Sequence, residues 1–300
     1  MINALTKSAV SATILSLCLL AGYVYILEIA SIQQITLIAL LFVQGVILNV
    51  LCARYSILGA KSQLPLILFI VIAVLLLPNL AMRDLVLGFV WLAAFFLAFE
   101  SRDDEQLSKN YIIFFGILLG VAQTIEHASV LLFLPVIILF VQTGKRSAKS
   151  FLMSFLYFLM VVLCYIGILF VMEIPEKIYD LVPELTFDYG VFNSIVIRLF
   201  FPLLLVNLGV HFIKLNTYSF RYPNKTIILN YTLALQLLVA FLLVITTAQL
   251  EFLIYFVHPA AVLLSFAYVY NAQRLFVNAA FASVICIAVV SLVAYKFLYL

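Results

Sequence analysis

Long apolar runs follow one another through the whole chain, separated only by short polar breaks. The run LPLILFIVIAVLLLP at residues 64–78 is typical, since it carries no charge and does not alternate between polar and apolar positions. Hydrophobic residues make up 67% of the 300 residues and charged residues only 10%. A soluble domain of this length could not hide so much apolar surface. The sequence therefore predicts an all-α, polytopic transmembrane helix bundle, with residues 1–300 as a single integral membrane domain.

About eleven membrane helices are predicted, because a helix needs about twenty residues to cross the hydrocarbon and fewer where the bilayer thins. The segments are residues 8–28, 35–52, 64–78, 84–99, 111–125, 128–142, 151–172, 194–213, 227–247, 254–270 and 275–296. The pair 111–125 and 128–142 allows a second interpretation, a single long helix bent at the sequence TIEH. The first segment follows Lys7, but its length and the lack of an A-x-A site predict an uncleaved helix.

The basic residues sort to one side of this arrangement. Of the 16 Lys and Arg, four fall on or near one side: Arg83, Lys177, Arg198 and Lys296. The remaining twelve fall on the other side: Lys7, Arg54, Lys61, Arg102, Lys109, Lys145, Arg146, Lys149, Lys214, Arg221, Lys225 and Arg274. The positive-inside rule then predicts a cytoplasmic N-terminus and an external C-terminus. Merging 111–125 with 128–142 would put the basic loop TGKRSAKS outside, against that rule.

The predicted outer face collects the titratable residues that could carry chemistry. Seven of them are candidate site residues: Glu28, Arg83, Asp84, Glu126, His127, Arg198 and His258. Arg198 lies about one turn inside its helix, where a charge is costly unless it is paired or faces a wet cavity. We therefore expect Glu126 and His127 to face an external polar cavity that also receives Arg83 or Arg198.

The longest external segment, residues 173–193, carries five acids and one lysine. Its apolar residues recur at helical spacing, with charged residues on the opposite side. This pattern predicts a short amphipathic helix lying on the outer interface, bent or ended by Pro183.

Several singled-out residues also have structural interpretations. Asp84 at the start of a predicted helix favours a role as a helix N-terminal charge. His258 precedes Pro259, which favours a turn. His211 is expected to hydrogen-bond a neighbouring helix, and Gly116-x-x-x-Gly120 to allow close helix packing.

Other functional classes have little support in the sequence. There is no P-loop, no G-x-G-x-x-G and no H-E-x-x-H, so no cofactor is predicted. The four cysteines lie in apolar runs without metal-ligand spacing, so no metal site is predicted. No basic patch interleaved with aromatic residues suggests nucleic acid. The expected partners are membrane lipids and other membrane subunits.

Residues 56–170 resemble an uncharacterised multi-spanning membrane family of Bacteroidota. The resemblance rests on SQLPLILFIVIAVLLLP, LVLGFVWLAAFFLAF, YIIFFGILLGVAQTIEHASVLLFLPVIILF and the basic loop TGKRSAKS. It implies a multi-pass protein of a bacterial inner (cytoplasmic) membrane and carries no activity with it.

The segment GILLGVAQTIEHASVLLFLP is similar in texture to one found in GT-C glycosyltransferases, which use polyprenyl-phosphate sugars. That resemblance implies an outward site in cell-envelope glycan assembly, with Glu28 as the first-loop acid and Asp84 as a second-loop acid. The loop EIASIQQ is much shorter than the first external loop of those enzymes, as expected of a reduced or non-catalytic relative.

Glycosyl transfer needs a carboxylate to take the acceptor proton and cations to steady the departing phosphate. Glu28 or Asp84 would act as the base, with Glu126 as a third acid. Arg83, Arg198, His127 and His258 would bind the polyprenyl-phosphate-linked sugar.

Two other functions stay open: a non-catalytic scaffold subunit of an envelope complex, and a lipid or small-molecule translocator. Convergence of the outer charges in one cavity would favour the enzyme. Dispersed charges beside an apolar flank would favour the scaffold, and a cavity open to both leaflets would favour the translocator.

Overall fold

The computed structural model describes residues 8–26, 31–58, 62–76, 80–100, 105–126, 131, 134–135, 137–138, 148–181, 195–217, 224–247, 254–269 and 274–299. Within these ranges the chain forms ten α-helices and no strand. The helices are α1 Ala9–Ile26, α2 Ile32–Arg54, α3 Leu64–Leu76, α4 Met82–Glu100, α5 Glu105–Ile125, α6 Ala148–Val171, α7 Ile195–Thr217, α8 Asn224–Thr247, α9 Ile254–Val269 and α10 Arg274–Tyr299. The all-α class predicted from the apolar runs is confirmed.

Each of these helices coincides with one of the predicted segments, and α5 begins six residues earlier than predicted. The predicted segment 128–142 lies mostly outside the described residues, of which 131, 134–135 and 137–138 are helical. Within the described ranges, three helical stretches are long and apolar enough to cross a membrane: Ile32–Arg54, Phe151–Val171 and Thr226–Thr246.

Two helices, α3 and α9, form the centre of the bundle. Almost every side chain of both is buried, and α3 contacts α1, α2, α9 and α10, while α9 also contacts α4, α7 and α8. Their sequences are apolar on every side, as expected of a helix surrounded by other helices. Helices α1, α2, α4, α7, α8 and α10 contact this central pair, whereas α5 packs on α4 and α6 packs on α5.

Local sequence sets the ends of the outer helices. Ser31 caps α2, because its hydroxyl oxygen accepts a hydrogen bond from the Gln34 amide at 3.2 Å. Helix α6 ends with Glu173 in the left-handed region, at φ 59°. There the Glu173 amide donates to the Phe170 carbonyl and the Ile174 amide to the Leu169 carbonyl. This Schellman arrangement satisfies the last carbonyls, and Pro175 then begins a 3₁₀ helix, Pro175–Leu181.

Contacts between α2 and α4 show that these two helices run in the same direction. Near the middle of α2, Gln44 contacts Leu85 and Gly88, and at its end Arg54 lies over the Phe96 ring at 5.5 Å. Arg54 and Arg83 therefore lie at opposite ends of α4. The sorting of basic residues placed these two arginines on opposite sides.

The glycines of the G-x-x-x-G sequence bring α5 and α6 into close contact. A Cβ on Gly116 would meet the Ser154 carbonyl oxygen, and a Cβ on Gly120 would lie 2.6 Å from the Val161 Cβ. The absence of side chains at these two positions is what allows the approach. Close helix packing at Gly116 and Gly120 is confirmed.

The same contacts show that α5 and α6 run parallel, because the later glycine meets the later residues of α6. When two successive helices are parallel, the C-terminal end of the first lies beside the C-terminal end of the second. Ile125 and Ala148 therefore lie at opposite ends of the α5–α6 pair.

Candidate functional site

Three charged residues meet where α4 begins and α5 ends; we call them the α4–α5 charge cluster: Arg83, Asp84 and Glu126. The Arg83 Nη1 lies 3.3 Å from the Glu126 Oε2, and the Arg83 Nε lies 3.7 Å from the Asp84 Oδ1. The side chain of Arg83 is 45% exposed, that of Glu126 16% and that of Asp84 4%. The guanidinium thus faces solvent on one side and two carboxylates on the other.

Asp84 is positioned by the start of its own helix. It is the third residue of α4, and its Oδ2 accepts a hydrogen bond from the Ala81 amide at 2.7 Å. The Asp84 amide in turn donates to the Ala81 carbonyl at 3.2 Å. The backbone amides at the start of a helix have no acceptor within the helix. An acidic side chain at the third helical position can accept a hydrogen bond from the amide of the residue that precedes the helix. The geometry agrees with the helix N-terminal interpretation of Asp84.

We expect Asp84→Ala to destabilise the protein by about 1 kcal/mol, because the Ala81 amide loses its acceptor. Asp84→Asn keeps an acceptor oxygen and is expected to recover most of that stability. Thermal unfolding of the purified protein in detergent would measure both. If Asp84→Asn were as destabilising as Asp84→Ala, the capping role would be wrong.

The charge balance of the cluster limits what it can bind. One guanidinium beside two carboxylates gives a net charge of −1 when all three are ionised. A phosphate brought to Arg83 would meet Glu126 and Asp84 at close range, where like charges repel. The arrangement is better suited to holding α4 and α5 together than to binding a phosphate.

Of the other predicted site residues, the structure describes Arg198 and His258. Glu28 and His127 lie outside the described residues, and Arg198 is exposed in the first turn of α7. The prediction that His258 lies in a turn is wrong, because His258 belongs to α9. Pro259, at the next position, lies inside this helix past its first turn and contributes no backbone amide to it.

His258 is fully buried, and its ring lies between two aromatic rings. The Phe69 and Trp91 centroids are each 4.9 Å from the centre of the imidazole. The side chain therefore sits in the interior of the bundle, among α3, α4 and α9, and does not face solvent.

The predicted outer segment 173–193 is described only as far as residue 181. Its first part is the 3₁₀ helix Pro175–Leu181, which packs against the end of α6. Residues 182–194 lie outside the described part of the chain, so the amphipathic helix remains a prediction there.

The interior contains polar residues that sequence analysis did not single out. Gln44 is fully buried, and its Nε2 donates to the Leu85 carbonyl at 2.6 Å. A lone glutamine in an apolar helical run is the signal that could have identified it. The expected contact of His211 with a neighbouring helix is confirmed, because its Nε2 lies 2.9 Å from the Asn230 Oδ1 of α8.

Among the described residues, no three His, Cys, Asp or Glu side chains gather closely enough to hold a metal ion. Neither the curated proteins nor the solved structures include a match to this chain. Residues 2–300 match the profile described as Family of unknown function (DUF6427). Because that match covers nearly the whole chain, the protein belongs to this family of unknown function.

Proposed function

We propose that the protein is a multi-pass membrane protein that acts as a non-catalytic scaffold subunit, in which the α4–α5 charge cluster holds these two helices together. The observation that carries this proposal is that the charged residues of the cluster pair with one another. Arg83 faces two carboxylates, and one of those, Asp84, is also a helix cap. Two of the residues that catalysis would need thus already have structural roles.

Helix α6 supports the location in a membrane. Its stretch Phe151–Val171 has a mean hydropathy of 2.5, and only 11% of the most apolar window is buried in the bundle. At about 1.5 Å per residue, these 21 residues would span about 31 Å, close to the hydrocarbon thickness. Large apolar side chains such as Phe155 and Leu163 are exposed along it. Lipid acyl chains are the solvent in which such a face is stable.

The topology proposed with this function has eleven membrane helices, a cytoplasmic N-terminus and an external C-terminus. The basic residues and the parallel α5–α6 pair support it. A cysteine placed at Ser147 in a cysteine-free protein is expected to resist membrane-impermeant reagents in intact cells and to react after permeabilisation. Labelling of that position from outside would overturn the topology.

Glycosyl transfer with a polyprenyl-phosphate sugar is the second candidate. One observation favours it: Glu126 is partly exposed and lies beside a half-exposed arginine, so a substrate could reach both. In this alternative Glu126 takes a proton from the acceptor. The short first external loop and the engaged state of Asp84 favour the scaffold.

Variants of the cluster distinguish the two functions in cells that lack the native gene. For a scaffold, the growth and envelope-glycan profile of cells carrying Arg83→Gln or Glu126→Gln should follow the abundance of the protein. For an enzyme, Glu126→Gln should abolish one glycan product while the protein accumulates normally. That second result would overturn the scaffold proposal.

A further inference from the structure

Two buried polar atoms without a hydrogen-bond partner among the described residues lie on two helices that pack together, α2 and α4. They are the Oε1 of Gln44, on α2, and the Nε1 of Trp91, on α4. Gln44 and Trp91 are both 0% exposed. One atom is an acceptor and the other a donor, and a buried polar atom left unmatched costs about 1–3 kcal/mol.

Gly88 lies against the Gln44 amide and precedes Trp91 by three residues in the same helix. A Cβ on Gly88 would lie 2.7 Å from the Gln44 Oε1, so the amide occupies the space that a side chain there would fill. Trp91 follows three residues later, on the same face of α4, with about 5–6 Å between such positions. Long helical side chains lean towards the helix N-terminus, so the indole extends back over the Gly88 turn.

The imidazole of His258 contacts Trp91 as well. Its ring lies on the indole of Trp91, with 4.9 Å between centroids. The surroundings thus combine an amide oxygen, an indole N–H and an imidazole, contributed by α2, α4 and α9. A buried water typically requires two to four polar groups of this kind.

We propose that Gln44 and Trp91, next to Gly88, form a site that holds a buried water molecule in the core of the bundle. The water accepts a hydrogen bond from the Trp91 Nε1 and donates one to the Gln44 Oε1. This water site does not depend on the scaffold role, because it lies inside the bundle and not at the α4–α5 charge cluster.

Trp91 is the single tryptophan of the chain, so its indole N–H gives one resonance in protein labelled with ¹⁵N-tryptophan. In the intact protein in detergent micelles, that resonance is expected to show a cross-peak to water. Gln44→Met keeps a similar volume but removes the acceptor, and should abolish the cross-peak. Gly88→Ala should do the same, because its methyl group displaces the Gln44 amide.

Gln236→Met is the matched control. Gln236 is also buried in its helix, α8, and its amide has no hydrogen-bond partner among the described residues. This variant should leave the Trp91 cross-peak unchanged. Absence of the cross-peak in the wild-type protein would overturn the proposal even if no variant folds. Persistence of the cross-peak in both Gln44→Met and Gly88→Ala would overturn it as well.

Discussion

Gly116→Ala is expected to loosen α6 from α5 and to destabilise the protein by about 3 kcal/mol, the upper end of the usual overpacking range. The reason is the nature of the obstacle. The new methyl group would meet the Ser154 carbonyl oxygen, which belongs to the backbone of α6 and cannot rotate away. The two helices must therefore separate, and α6 packs mainly on α5.

The matched control for this change is Gly167→Ala, on α6 itself. A Cβ at Gly167 meets nothing within 4 Å, so the substitution adds no clash. Alanine is favoured over glycine in a helix by about 0.5–1 kcal/mol, so this variant should be neutral or slightly more stable. Thermal unfolding of both variants in one detergent measures the difference. Equal stability of the two would show that α5 and α6 do not meet as described.

Removing either charge of the Arg83–Glu126 pair is expected to destabilise the protein. Exposed pairs contribute roughly 0.2–1 kcal/mol, whereas breaking a buried pair costs about 3–5 kcal/mol. Glu126 is mostly buried and Arg83 half exposed, so we expect about 2 kcal/mol for Arg83→Gln or for Glu126→Gln. The double variant should be less destabilised than the sum of the two, because the second substitution removes a partner of an ion pair that the first has already broken.

A double-mutant cycle in detergent measures this coupling. Glu176→Gln makes the same chemical change at an exposed acid of the 3₁₀ helix, and should change stability by less than about 0.5 kcal/mol. Strictly additive losses for the pair would mean that Arg83 and Glu126 do not stabilise each other. The proposal that the charge cluster holds α4 and α5 together would then be wrong.

Sequence alone predicted where the helices lie, because a continuous apolar run of sufficient length has few other structures available. It also predicted the α5–α6 contact, since two glycines four residues apart mark a helix face that can approach another. A contact of Glu126 with Arg83 or Arg198 was predicted, and the structure shows the contact with Arg83.

The interior of the bundle was not predictable in the same way. A local pattern shows that Gln44 is polar in an apolar helix, but does not show which helix its amide faces. That depends on how α2 and α4 pack, and on the absence of a side chain at Gly88. For His258, the proline that follows predicts a turn, whereas the structure has Pro259 inside a buried helix, where packing against other helices overrides the local preference.

In the multi-pass membrane protein proposed above, the parallel contact of α5 and α6 has a consequence for the order of assembly. Successive antiparallel helices can enter a membrane as a hairpin, already in contact, whereas a parallel pair has to wait until the chain between them has crossed back. In the two-stage view of membrane folding, helices insert first and associate later. The Gly116 contact then belongs to the association stage, so a variant that fails there would be inserted normally and degraded afterwards.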